Sequence, residues 1–153
     1  MSLTRWIVIG AMTIAGALGV VAWANPNLAY SLLTEEVDGE TLTAPEAHEA
    51  AVAGDIFLID IRRPDEWAAT GSGEGAHRLD MRRDDFTKAL TEIAMDKDAP
   101  IALICARGVR SARTANRLME AGFTNIIDVP EGMLGSTVGP GWLRRGLPVV
   151  KTP

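Results

Sequence analysis

The sequence predicts an α/β domain built on a mostly parallel sheet, and three observations carry this. Short, continuously apolar runs at 55–61, 100–104 and 125–129 have the length and pattern of strands buried on both faces. Segments with helical spacing or helix-start signals separate these runs. Glycine or proline punctuates most of the boundaries between them. Strands that alternate with helices make a parallel sheet, and in such sheets sites form at the carboxyl ends of strands.

Residues 25–41 carry Asn25-Pro26-Asn27, then mixed polar residues, then Asp38-Gly39, and read as a linker. Thr43-Ala44-Pro45-Glu46 starts a helix, with Thr43 as N-cap, Pro45 in the first turn and Glu46 completing a capping box. The helix extends to about Ala53, and Gly54 ends it. Asp55 to Ile61 is the first strand. Arg63-Pro64-Asp65 breaks it and opens a short helix from Pro64 to about Ala69. Thr70 to Gly75 reads as a flexible loop, and Ala76 to Met81 holds a short strand. Asp84 to Ala94 is an amphipathic helix with Phe86, Leu90 and Ile93 at helical spacing. Pro100 to Ile104 is the second buried strand, and Cys105 to Arg110 is the loop after it. Ser111 caps a helix that continues to Ala121 and closes at Gly122. Asn125 to Val129 is the third strand. Glu131 to Pro140 is glycine-bearing, and Trp142-Leu143 begin a final turn or helix that Gly146-Leu147-Pro148 ends.

Composition narrows the function classes. A chain of 153 residues suits one domain. The formal net charge of -5 argues against a nucleic-acid partner, which demands a basic patch. Any anion site is therefore local, made from a few arginines and backbone amides. One cysteine excludes an intramolecular disulfide and a multi-thiolate zinc site. His48 and His77 share no ligand spacing, so neither a metal nor a cofactor is expected. Both histidines read as surface or boundary residues, and Trp67 and Trp142 read as core aromatics.

The first 24 residues stand apart. Arg5 precedes an uncharged run of 18 residues from Ile7 to Ala24, and Ala22-Trp23-Ala24 fits a small-residue cleavage site. The run is longer than a signal core of ~7–15 residues and shorter than a spanning helix of about 20. Residues 1–24 therefore read as either a cleaved signal peptide or an uncleaved anchor that tethers the chain through 7–24. Both place the domain in an oxidising compartment such as a bacterial periplasm.

The chemistry concentrates at Cys105-Ala106-Arg107-Gly108-Val109-Arg110-Ser111, which joins a buried strand to a helix. Consecutive backbone N–H groups in a tight loop make an anion-binding nest, and the helix N-terminus lies behind it. Arg107 and Arg110 add positive charge, and Gly108 is free to take φ > 0 so that the loop curls. These effects favour a thiolate, the nucleophile needed to attack a sulfane sulfur. The nest then holds the terminal sulfur of the resulting persulfide without a separate base. Cys105 is thus the candidate nucleophile. Ala106, Arg107, Gly108, Val109 and Arg110 are the candidate substrate contacts. Asp60 and Arg62, at the end of the neighbouring strand, hold each other and the loop, with Ser111 as a further support. Glu66 reads as a helix-start charge.

The cysteine loop resembles the active-site loop of single-domain rhodaneses, which ends in Gly-x-Arg-Ser. Upstream, Asp60-Ile61-Arg62 followed by Glu66-Trp67 resembles that family's first motif. Downstream, Gly141-Trp142-Leu143-Arg144-Arg145-Gly146-Leu147-Pro148-Val149 resembles its closing segment. The resemblance covers roughly residues 43–150. It implies a five-stranded sheet flanked by helices, and transfer of sulfane sulfur from a donor such as thiosulfate to a thiophilic acceptor, cyanide or a thiol. Where the family often has Gly-His-Ile-Pro-Gly-Ala, this chain has Gly71-Ser72-Gly73-Glu74-Gly75-Ala76. That change predicts a softer loop with a different rim.

Two other functions compete. Phosphatases and arsenate reductases share the fold, but the related phosphatase loop is Cys-x5-Arg. Here the sixth residue after Cys105 is Ser111, and Arg110 comes one earlier. The shorter loop makes a smaller cradle, suited to one sulfur atom. The other competitor is a non-enzymatic sulfur-carrier or binding module.

Overall fold

The computed structural model describes residues 26–151. The leader assigned to residues 1–24 lies outside the described residues. Among the described residues, no helix is long and apolar enough to cross a membrane.

The elements are α1 (Pro26–Ser31), β1 (Glu40–Thr41), α2 (Ala44–Ala53), β2 (Phe57–Asp60), α3 (Pro64–Thr70), β3 (Ser72–Gly73), β4 (His77–Arg78), α4 (Phe86–Ala94), β5 (Ile101–Ile104), α5 (Val109–Glu120), β6 (Ile126–Asp128), α6 (Gly141–Arg144) and β7 (Val149–Val150). The main sheet has the order β1-β6-β5-β2-β4, and every pairing in it is parallel. This is the expected α/β architecture with five parallel strands flanked by helices.

β5 is the central strand and is buried along its whole length. Its side chains alternate between two cores, as the two-residue period of a strand requires. Ile101, Leu103 and Cys105 join Ile59, Ile61 and the buried faces of α4 and α5. Ala102 and Ile104 join Leu58, Ile127, Met133 and Trp142 on the side of α2 and α6. Cys105 therefore continues the strand's alternation onto the face that α5 covers. That puts the sulfur at the start of this helix.

The capping box at α2 forms as expected: Glu46 Oε2 accepts from the Thr43 amide at 2.8 Å, and Glu46 N–H donates to Thr43 Oγ1. Other boundaries differ from expectation. α4 begins at Phe86 rather than Asp84, and Asp85 in front of it offers no side-chain cap, its carboxylate being held by Arg83 at 2.8 Å to each oxygen. Ser111 is not a cap. The chain turns into α5 at Gly108, and Ser111 falls inside the first turn.

Two stretches read as loops are tied into the structure. Within 25–41, β1 pairs with β6, Arg113 Nε donates to Glu35 at 2.9 Å, and Asn116 donates to the Glu36 carbonyl. Part of this linker is thus an edge strand plus a strap across α5. The segment 70–75, expected to be flexible, contains β3, which pairs antiparallel with β7. Gly71, Ser72 and Gly73 are buried, and Ser72 Oγ donates to Asp60 Oδ2 at 2.6 Å. Local composition could not show this, because β7 lies more than seventy residues away in the chain.

Candidate active site

The loop after β5 is shaped by its carbonyl groups. Cys105 O accepts from Met133 N–H and Ala106 O from Leu134 N–H, both at 2.9 Å. Gly108 O accepts from Ala112 N–H and from Ser111 Oγ, both at 3.0 Å. The carbonyls are thus directed away, onto the 132–134 turn and into the helix. Among the described residues, no backbone carbonyl accepts from the N–H groups of Ala106, Gly108, Val109, Arg110 or Ser111. This leaves a row of unspent donors, the requirement for an anion nest at a helix N-terminus.

Two glycines make the arrangement possible. Gly108 has φ +84°, and a Cβ there would run into the Pro130 carbonyl. Gly132 has φ +62°, and a Cβ there would sit 2.6 Å from the Ala106 carbonyl and 2.8 Å from the Arg107 nitrogen. The second contact is why the supporting turn lies directly on the cysteine loop.

Cys105 is 1% exposed, yet it lines a pocket of about 420 Å³ together with Ala106, Arg107, Val109 and Arg110. The sulfur is reached through that pocket. All the loop residues picked from sequence as substrate contacts line it except Gly108. Arg110 does not stand open. Its Nη1 and Nη2 donate to Glu66 at 2.8 and 2.6 Å. Burial raises the Glu66 carboxyl, but the bonds from Arg110 and from the Arg63 amide outweigh it and hold the carboxyl below its ordinary range. Arg110 is raised chiefly by the same bonds, against burial, with a smaller contribution from the charge of Cys105. Arg107 donates to Gly135 O at 3.2 Å and lies over the Tyr30 ring, 5.1 Å from its centroid.

Asp60 and Arg62 hold each other in a buried ion pair, Nη2 to Oδ2 at 2.7 Å. What they hold besides is the segment after α3. Arg62 donates to Gly71 O at 2.7 Å and to Thr70 Oγ1 at 2.9 Å, and Ser72 donates to Asp60. None of these bonds reaches the Cys105 loop. Ser111 is buried and has two acceptors in reach, Gly108 O and the Asp128 carboxyl on β6.

Sequence reasoning missed the rest of the pocket wall: Tyr30, Leu33, Arg63, Glu66 and Leu134. For Tyr30 and Leu33 there was a signal. Apolar side chains at Tyr30, Leu32 and Leu33 after Pro26 are out of place in a solvated linker and suit a short helix opened by proline. Glu66 carried none, since its partner is 44 residues away.

Residues 43–136 match the Rhodanese-like domain family. A thiosulfate sulfurtransferase of Actinobacillus pleuropneumoniae is 32% identical over 92 residues, 60% of this chain and 75% of that protein. A polysulfide-sulfur transferase from Wolinella succinogenes, solved as a homodimer, superposes with a TM-score of 0.60 at 25% identity, covering 88% of this chain and 93% of that one. A tRNA uridine(34) hydroxylase of Acinetobacter baumannii is 27% identical over 111 residues, 70% of this chain but 34% of that protein. The family match takes in four of the five strands of the main sheet, the cysteine loop and the turn that supports it, and the chain belongs to the rhodanese-like domain family.

Proposed function

We propose that this protein is a sulfurtransferase that carries sulfane sulfur as a persulfide on Cys105. The observation that supports it most is the cysteine loop itself. The carbonyls of Cys105, Ala106 and Gly108 are tied back, no backbone carbonyl among the described residues takes the N–H groups of Ala106 or of Gly108 to Ser111, and Cys105 lines the pocket. With thiosulfate as donor, Cys105 Sγ attacks the outer sulfur as a thiolate. A new Sγ–S bond forms, the S–S bond to the sulfonate breaks, and the electron pair leaves with sulfite. The anionic terminal sulfur rests on the loop amides. Cyanide or a thiol then takes that sulfur and returns Cys105 to its thiolate. The bidentate hold of Glu66 on Arg110 also counts against a phosphatase, which needs that guanidinium for a tetrahedral oxyanion.

The test is direct. Protein incubated with thiosulfate should gain the mass of one sulfur atom, and cyanide should remove it as thiocyanate. Failure to gain sulfur from any sulfane donor rejects the assignment, as does turnover of a phosphate ester in its place.

The uncharged run from Ile7 to Ala24 after Arg5 supports a further proposal, that the domain is carried across a membrane by residues 1–24. The protein recovered from periplasmic or membrane fractions should then be either shortened near Ala24 or intact and membrane-bound. Recovery of the intact chain from the cytosolic fraction would reject export.

A further inference from the structure

Resting on the sulfurtransferase reading, we infer that the pocket selects a singly charged sulfane donor with an apolar body, an organic persulfide or aromatic thiosulfonate, over the compact dianion thiosulfate. Glu66 and Tyr30 set that preference.

The size of the pocket is the first ground. About 420 Å³ lies within the range of sites that hold molecules of drug size, roughly 300–1,000 Å³. It is far more than a small inorganic anion fills. The second ground is the wall. Tyr30, Leu33, Val109 and Leu134 present an apolar lining beside Cys105. Tyr30 and Leu33 remain 40% and 62% exposed, so part of their carbon surface faces water at the mouth. A donor with an apolar body would cover that surface. These two residues lie outside the stretch that matches the family, 43–136, so this wall is supplied by the chain's own preceding segment.

The third ground is charge. Each pocket arginine is already engaged. Arg63 is bonded to Asp65 at 3.0 Å through both Nε and Nη2. Arg110 is held by both oxygens of Glu66. Arg107 is bonded to Gly135 O and lies against the Tyr30 ring. Two of the three cations are thus neutralised by carboxylates. A dianion entering here must displace Glu66 from Arg110 or sit beside its negative charge. A donor with one negative charge meets less repulsion and gains the apolar wall.

The chemistry balances for this class. With an organic persulfide, the Cys105 thiolate attacks the terminal sulfur, the Sγ–S bond forms, the donor S–S bond breaks, and the pair leaves with the organic thiolate. With an aromatic thiosulfonate, the leaving group is the sulfinate. One anion is exchanged for another in each case, and no oxidant or reductant is needed.

The experiment uses the full chain with three donors and cyanide as acceptor: benzenethiosulfonate, methanethiosulfonate and thiosulfate. The first pair differs in apolar body at equal charge, and the second mainly in charge. Tyr30→Ala combined with Leu33→Ala should lower the kcat/KM ratio of benzenethiosulfonate to methanethiosulfonate about tenfold, through KM. Glu66→Gln should raise the ratio of thiosulfate to methanethiosulfonate about tenfold by releasing Arg110. Either ratio staying within about twofold of the unmodified protein overturns the inference. Intact mass separates the two levels of failure. If no donor adds sulfur to Cys105, the sulfurtransferase reading fails. If all three add sulfur and the ratios do not move, only the donor class is wrong.

Discussion

Cys105→Ser is expected to abolish sulfur loading and thiocyanate formation while the domain still folds. The replacement keeps the side-chain shape but exchanges a group that ionises readily for an alcohol that does not, so the attacking anion is lost. The fall in turnover should be roughly a thousandfold or more, the scale seen when a covalent nucleophile is removed. Stability should change much less. Cys105, just past the end of β5, is buried in the same cluster as Leu103, Ile59 and Ile61, where a hydroxyl costs about 1–3 kcal/mol if it finds no partner. The unspent N–H groups of the loop are available to it. Intact mass after thiosulfate treatment, thiocyanate release and a thermal melt together check this. A variant that melts within a few degrees of the parent and still forms thiocyanate at a tenth of the parental rate would place the sulfur on some other group.

Asp128→Asn is expected to stabilise the protein at neutral pH by about 3 kcal/mol, and to do nothing for it near pH 4. Asp128 ends β6 and is 2% exposed. Its Oδ1 finds no hydrogen-bond partner among the described residues, and none of the described ion pairs includes it. Burial raises the carboxyl to about 6 from an ordinary 3.8, and hydrogen bonding from Ser111 and the Val129 amide offsets this only in part. The folded state therefore holds the proton more tightly than the unfolded chain. Stability is unaffected by this group below about pH 4, declines as pH rises from about 4 to 6, and stays lower above that. Asparagine keeps the shape and carries no charge to desolvate. Urea unfolding at pH 4 and pH 7.5 measures the difference. Equal midpoints for parent and variant at pH 7.5, or a gap of the same size at pH 4, would contradict it. The position also bears on the site, because Asp128 meets Ser111 in the first turn of α5, directly behind the Cys105 loop.

The features that could be read in advance are those that depend on neighbours in the chain. A buried parallel strand must be apolar on both faces, so β2, β5 and β6 announced themselves as continuous runs. The capping box at Thr43 and Glu46 is complete within four residues. The Asp60–Arg62 pair spans a single intervening residue, and both side chains point to one side of the extended chain. The glycine at 108, three residues after the cysteine, already implied a loop that curls back on itself, and Gly108 takes the positive φ this needs.

The features that could not be read depend on where distant segments come to rest. Glu66 becomes the partner of Arg110 only because α3 and the cysteine loop follow adjacent strands of the sheet, at the same carboxyl edge. Ser72 reaches Asp60 because β3 is pinned by β7. Ser111 was misplaced as a cap for a subtler reason. Its residue type suits that role, but the left-handed turn at Gly108 lets the helix begin earlier.

Cys105, the order of strands and helices around it and its spacing to Arg110 follow from the amino-acid sequence alone, since each is set by local pattern and backbone preference. Whether the arginines beside that cysteine stand free or neutralised, and whether its pocket is bare or walled by Tyr30 and Leu33, was decided only in the folded molecule. Charge and solvent exposure at a site are sums over everything packed around it. In this protein much of what surrounds Cys105 comes from residues tens of positions away.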